Sequence, residues 1–282
     1  MKLAEDWIDY KVLATNNGEK LEKWGDYILC RPDPQVIWKT GKNLGEYKAL
    51  DGHYIRSSSG GGQWKFFHQL PDKWQISWKG IKFIVKPMGF KHTGIFPEQA
   101  VNWSDMTKAI KEAKRPIKVL NLFAYTGAAS VVCALAGASV THVDASKGMV
   151  ERAKENAQLN GISNIRFIVD DCKKFIEREI RRGNFYDAII MDPPSYGRGT
   201  NGEMWKIEDN LFDFMCLSKK VLSNNPLFVL ISSYTTGLQA SVLYNLLTLV
   251  FGEGNIDADE IGLPTAEKTI LPCGARGLKL WK

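Results

Sequence analysis

The chain has 282 residues, enough for one large domain and a smaller companion, and its 44% hydrophobic and 24% charged content is that of a globular protein. No apolar run approaches the roughly 20 residues that cross a bilayer, and the charged N-terminus MKLAEDWIDY lacks the apolar core of a secretory leader. Five scattered cysteines without a CxxC pair, and four dispersed histidines, argue against a disulfide framework or a metal site and for a reducing, cytoplasmic setting.

The net charge of +6 is lopsided. Residues 1–115 hold 19 Lys and Arg against 13 Asp and Glu, whereas residues 116–282 hold 18 of each. The whole basic excess therefore precedes residue 116, which points to an anionic partner, most commonly nucleic acid.

In chain order, turn signals at Asn16–Gly18 precede a short strand expected at Tyr27–Cys30, which ends at Arg31-Pro32-Asp33-Pro34. Residues 35–79 intersperse aromatics (Trp38, Tyr47, Tyr54, Trp64, Phe66, Phe67, Trp74, Trp78) with Lys and Arg, and a flexible Ser57–Gly62 run divides them. Alternation such as Trp74-Gln-Ile76-Ser-Trp78 reads as short strands. Residues 1–79 are thus expected to form a small β-rich, basic and aromatic domain. Its aromatics are of a kind that can stack bases, although taken singly most belong to a core. Residues 80–115 read as a bridge: a strand at Ile81–Val85, the loop 91–99, and a helix around Ser104–Lys114.

From Ile117 strands and helices alternate. Strands are expected at 117–122, 139–143, 164–169, 186–191 and 227–232, with helices at 127–136, 146–159, 172–182, 208–222 and 238–250 between and after them. A last strand pair near 256–262 and 277–281 should form an antiparallel edge. The predicted fold class is therefore α/β: a Rossmann-like, doubly wound, mostly parallel sheet over 80–282, beside the small N-terminal β-rich domain.

In such a sheet ligands bind at the carboxyl ends of the strands, and four of these ends are polar. The first opens a strand, glycine turn, helix, strand, acid series. Gly127 stands at the helix N-terminus, where unpaired N–H groups and the positive dipole end meet a ligand. Asp144 follows 17 positions later, placed to accept both hydroxyls of a ribose. The dinucleotide fingerprint needs three spaced glycines for close approach to a pyrophosphate. Here Ala128 and Ala129 follow Gly127, so a nucleoside without a pyrophosphate, such as S-adenosylmethionine (SAM), fits better. Asp171, after the third strand, is both a candidate acceptor for the adenine amino group and a candidate helix N-cap. Asp192-Pro193-Pro194-Ser195 after the fourth strand makes a stiff turn whose carbonyls and carboxylate can face a reacting amine.

The segments HTGIFPEQ (92–99), VLNLFAYTGAAS…NAQLNG (119–161), RFIVDDCKKF (166–175) and MDPPSYG (191–197) resemble class I SAM-dependent methyltransferases. More narrowly, they resemble the bacterial large-subunit ribosomal RNA methyltransferases that include a 5-methylcytosine enzyme and a 7-methylguanosine domain. The resemblance leaves residues 1–79 uncovered. It implies SAM as cofactor, RNA as partner and no metal. It places Phe123, Ala124, Tyr125, Thr126, Gly127, Asp144 and Asp171 on SAM, with Phe96 and Gln99 lining the same cleft. Asp192, Pro193 and Pro194 would face the target base, and Tyr196 is placed to stack on it. One departure bears on the reaction. The 5-methylcytosine chemistry needs a thiolate, which the family carries just after the fifth strand, but Ile231–Thr236 contains no cysteine. Cys273 is the one loop cysteine near a plausible cleft. A nitrogen target is therefore expected in place of carbon 5. The alternatives are a methyltransferase for a protein or small molecule, and a non-catalytic RNA-binding module with a vestigial SAM fold.

Overall fold

A computed structural model describes residues 1–57, 61–89, 91–198 and 204–281. Residues 58–60 of the Ser57–Gly62 run, and Gly199 and Gly202 of the stretch after the fourth strand, lie outside the described residues. The chain forms two compact units. One comprises Lys2–Ala100 with Ile261–Cys273; the other comprises Val101–Glu260 with Gly274–Lys282 and Met1.

The N-terminal unit begins with β1 (Lys2–Leu3) and continues as β2 (Tyr10–Asn16), β3 (Glu19–Trp24), β4 (Tyr27–Pro32), β5 (Gly52–Arg56) and β6 (Gly62–Phe66). Strands β2 to β6 make a five-stranded sheet in sequential order, antiparallel except for the β4–β5 pair. A separate hairpin joins β7 (Trp74–Trp78) to β8 (Ile81–Val85). Trp78 pairs with Ile81, so a boundary at 79/80 would fall in the turn of that hairpin; the compact units instead divide at Ala100/Val101. Inside this unit Arg31 is buried with its guanidinium on both oxygens of Glu22 (2.6 and 2.8 Å), and Tyr10 Oη donates to the same carboxylate (2.7 Å). Burial opposes the charge on Glu22, but Arg31 and Lys20 outweigh it and hold that carboxyl down at about 2.

The second unit starts with α1 (Ala100–Glu112), earlier than its polar composition suggested because it follows directly on a 3-10 turn at Pro97–Gln99. Then come β9 (Lys118–Leu122), α2 (Ala128–Leu135), β10 (Ser139–Asp144), α3 (Lys147–Leu159), β11 (Ile165–Val169), α4 (Cys172–Arg182) and β12 (Ala188–Met191). A short hairpin of β13 (Tyr196–Arg198) and β14 (Met204–Lys206) follows, then α5 (Ile207–Lys219), β15 (Phe228–Ser233), α6 (Ala240–Phe251), β16 (Asn255–Pro264) and β17 (Ile270–Leu280), of which residues 261–264 and 270–273 count with the N-terminal unit. The main sheet runs β16-β17-β15-β12-β9-β10-β11, parallel from β15 to β11, with β17 antiparallel to β15. Every residue of β12 and β15 is buried, as expected for strands covered on both faces. The core between sheet and helices α4 to α6 gathers Leu120, Leu122, Phe175, Ile189, Met191, Phe214, Ile231 and Leu247.

The chain order reverses at β9. It winds outward through β10 and β11, then returns to place β12 on the other side of β9. The crevice at such a reversal is where doubly wound sheets bind ligands, and the sequence puts its polar motifs there.

Candidate active site

After Leu122 the backbone leaves β9 through a turn in which Phe123, Tyr125 and Gly127 all have left-handed φ, at 54°, 50° and 80°. For the two non-glycine residues this conformation costs about 1–2 kcal/mol each, which is the kind of local strain that functional turns hold. The turn is pinned on each side: Ala124 N donates to Val143 O (3.1 Å), and Gly127 N donates to Ala124 O (3.0 Å). Gly127 has no substitute in this geometry. A Cβ there would lie 2.7 Å from Ala153 Cβ, because α3 packs directly against the start of α2. Asn156 on α3 donates to Thr126 O (2.9 Å) and holds the same contact.

Asp144 ends β10 half-buried. Its Oδ2 accepts from Tyr125 N (2.9 Å) and its Oδ1 from Ser146 N (2.8 Å). Burial raises its carboxyl above the usual carboxylate range, while the two backbone donors pull the other way. The carboxylate is thus clamped to the turn at one end and to the next helix at the other. The third strand end joins them. Asp170 N donates to Asp144 O (3.0 Å), and Phe123 N donates to Cys172 Sγ (3.3 Å). Asp171 caps α4, its Oδ1 accepting from Lys174 N (2.9 Å), and Phe175 one turn on is in the core as expected.

At the end of β12, Asp192 is half-buried, Pro193 is buried, and Pro194 and Ser195 are exposed. Ser195 Oγ meets Thr235 Oγ1 of the loop after β15 at 2.6 Å. Pro194 O accepts from the indole N–H of Trp205 (2.6 Å). The Trp205 ring in turn lies 5.4 Å from Phe123 and 5.5 Å from Phe214. Tyr196 is 51% exposed, with its hydroxyl 3.0 Å from Met204 Sδ.

The structure therefore brings together Phe123 to Gly127, Asp144, Asp171 and the Asp192–Tyr196 segment. Phe96 and Gln99 belong to the N-terminal unit. There Phe96 precedes the 3-10 turn, accepts from Gln99 N (3.1 Å) and packs edge-on against His92 (5.4 Å). Cys273 also lies in that unit; burial and the carboxylates of Glu98, Asp33 and Glu22 push its thiol well up, with only Lys20 pulling the other way, so it is no thiolate.

Residues beyond the motifs support the site. Asn121 donates to Ser130 Oγ (2.9 Å), which meets Nδ1 of the fully buried His142 at 3.1 Å. Burial depresses His142 to about 3, so the imidazole is neutral. This polar chain underlies the turn and ties β9, α2 and β10 together. Its signal in the sequence is a polar side chain in the middle of each apolar strand, VLNL and SVTHVD, since buried polar groups need partners. Arg276 on β17 is likewise fully buried, bonded to Asn102 (3.1 Å), Asp105 (2.5 Å) and Asp257 (2.7 Å), and Asn102 also donates to Ser232 (3.2 Å) beside the cysteine-free segment after β15.

Away from the cleft, Glu19, Cys30 and His53 place their donor atoms within 4.8 Å of one another. The His53–Glu19 pair is already closed at 2.6 Å, and burial raises the Cys30 thiol, which packs in the small sheet's core. Among the described residues no helix is long and apolar enough to cross a membrane.

The arrangement suits a ligand with a ribose and an amino-acid tail. The clamped carboxylate is at the tip of β10, and the start of α2 carries no side-chain cap. Comparison with known proteins agrees. A family model described as S-adenosylmethionine-dependent methyltransferase matches residues 19–209. The chain is 36% identical to a SAM-dependent methyltransferase from Agrobacterium tumefaciens of known structure, covering 98% of this chain and 91% of that one with a TM-score of 0.91. It is 36% identical over 197 residues to the ribosomal RNA large subunit methyltransferase K/L of Alteromonas mediterranea, which is 68% of this chain and 26% of that protein. It is also 34% identical over 148 residues to the protein of the same name from Pseudoalteromonas translucida, 51% of this chain and 20% of that protein. The chain thus spans only about a fifth to a quarter of the length of these curated relatives.

Proposed function

The chain belongs to the S-adenosylmethionine-dependent methyltransferase family, and from that premise we propose that it methylates a nitrogen of a base in RNA, ribosomal RNA being the substrate class in the names of its curated relatives. The observation that carries this reading is the junction of the Phe123–Gly127 turn with the Asp192-Pro193-Pro194 turn across neighbouring strands β9 and β12, together with the lack of a cysteine in Ile231–Thr236 at the end of β15. The excess of positive charge in residues 1–115 fits a polyanionic substrate.

When bound, SAM supplies an activated methyl on a sulfonium. What remains for the protein is alignment of the acceptor and exclusion of water. In this reading Asp144, held by Tyr125 N, would accept from the ribose hydroxyls, Asp171 at the neighbouring strand end would take the adenine amino group, and the left-handed turn Phe123–Gly127 would offer backbone to the amino-acid tail. Asp192 and the carbonyls of the stiff Pro193-Pro194 turn take up charge that develops on an attacking amine. Tyr196, exposed at the rim, stacks on the extruded base. These groups act where RNA is made and used, which for a bacterial-type enzyme is the cytoplasm.

The test is to methylate total RNA from cells lacking the protein and digest it to nucleosides. An N-methylated nucleoside is expected, and 5-methylcytidine as the product would overturn the nitrogen assignment.

A further inference from the structure

Outside the cleft, the β5–β6 hairpin of the N-terminal unit carries an aromatic face that is buried at Tyr54, half-buried at Trp64 and open to solvent at Phe66 and Arg56. Register pairs Gly52 with Phe66, Tyr54 with Trp64 and Arg56 with Gly62, so these six residues share one face. Glycine at two of the positions lets the rings lie flat. A Cβ at Gly52 would stand 3.0 Å from the Phe66 ring, and one at Gly62 would stand 2.6 Å from the Tyr54 ring. Trp64 is fixed by its indole N–H on Met88 O (2.8 Å) and by the edge of Tyr54 (5.5 Å). Phe66 lies parallel to it, with ring planes 6° apart and centroids 5.8 Å apart, yet stays 49% exposed. β6 is the edge of its sheet. Phe66 is thus a ring held in a fixed orientation by buried neighbours on an edge strand, with its outer part left for a further planar ring.

Arg56 sits at the far end of this face, and the half-buried Lys91 lies close enough to Arg56 to feel its charge. Among the described residues neither forms an ion pair, whereas the neighbouring Lys20 and Arg31 are matched with Asp33 and Glu22. Burial lowers Lys91, Asp33 raises it, and Lys20, Arg31 and Arg56 lower it further, so positive charge outruns negative here.

We propose that the Tyr54–Trp64–Phe66 face, with Arg56 and Lys91, is a binding site for single-stranded RNA: a base stacks on Phe66 and the adjoining phosphates lie on the two cations. Planar rings accept any base, and the cations read only backbone charge, so the site gives affinity without choosing a sequence. The inference rests on the RNA reading above and names where that substrate is held.

The experiment uses the full chain and a fluorescein-labelled single-stranded RNA of about 12 nucleotides, with methyl transfer to total RNA and SAM binding measured in parallel. Phe66→Ala is expected to weaken RNA binding about tenfold. Phe66→Leu, which still covers Gly52 if the alanine variant misfolds, should do the same, and Phe66→Trp should keep the affinity. Arg56→Gln should flatten the dependence of log affinity on log salt by about one. SAM affinity should stay unchanged throughout. If the wild type methylates RNA while Phe66→Leu and Arg56→Gln bind it normally, the stacking site is overturned and the enzymatic reading stands. If RNA binding depends on Phe66 but the methyl group goes only to protein, the stacking site stands and the enzymatic reading falls. If the wild type neither binds nor methylates RNA, both fall.

Discussion

Asp144 does two things whose energetics oppose each other. Its burial raises its folded pKa above the ordinary 3.8, so the ionised form is disfavoured in the fold. The stability it lends is complete below that ordinary value and is lost as pH rises through the raised one. At neutral pH the charged carboxylate therefore lowers stability slightly while holding the ionised form that the proposed ribose contact uses. Asp144→Asn should weaken SAM binding about tenfold or more, as loss of charged hydrogen bonds does, and change the melting temperature little, since relief of the buried charge is set against the loss of one of its two backbone-accepting oxygens. Calorimetric titration and thermal unfolding measure the two effects, and a lower melting temperature with unchanged affinity would contradict the assignment. SAM affinity of the wild type should also fall off in acid from a higher pH than an unperturbed aspartate would give. His142 has the opposite sign. Its folded pKa of about 3 lies below the ordinary 6.5, so its contribution is present above 6.5 and drains away as pH falls toward 3. His142→Asn should flatten the acid limb of the stability curve over that window, as read by urea unfolding at stepped pH. Asp144 was legible in the sequence because an acid at the second strand tip has a recognisable spacing. His142 was not, because only the packed α2 and β10 show that its partner is Ser130.

Among the elements, the β13–β14 hairpin is what sequence reading passed over. A Gly-rich stretch reads as loop, and the short pairing of Gly197 with Trp205 is set by tertiary contact. Yet it is this hairpin that carries Trp205 to Pro194 O and against Phe123, tying the Asp192–Ser195 turn to the Phe123–Gly127 turn. Trp205→Phe keeps the ring and removes the donor. It should lower kcat several-fold with SAM affinity unchanged, whereas Trp205→Ala should impair both; steady-state kinetics with SAM calorimetry separates them. The α2–α3 contact makes a stability prediction. Gly127→Ala puts a methyl 2.7 Å from Ala153 Cβ at a φ of 80°, and should destabilise the fold by about 1–3 kcal/mol, seen as a lower urea midpoint. The parallel strands and their helices were legible because apolar runs alternate with capped helices, such as α4 between Asp171 and Gly183. The boundary of the N-terminal unit was not, since the β7–β8 hairpin and the tip of the β16–β17 hairpin join it by packing and not by composition.

At the scale of the whole molecule, the basic excess of residues 1–115 is shared between the N-terminal unit and residues 101–115 of the second unit, and the second unit also holds the switch-point cleft with its clamped carboxylate and stiff Asp192–Ser195 turn. Such an excess of positive charge is what the proposed RNA substrate, held by its backbone and modified at one base, would call for. The most direct test is to incubate the purified chain with methyl-labelled SAM and a whole-cell extract from cells lacking it, then count label in the RNA, protein and small-molecule fractions, with Asp192→Ala as control. The account predicts label in RNA that the control lowers at least tenfold, in line with the loss of a transition-state acceptor. Label confined to protein or to small molecules, with RNA blank, would contradict it.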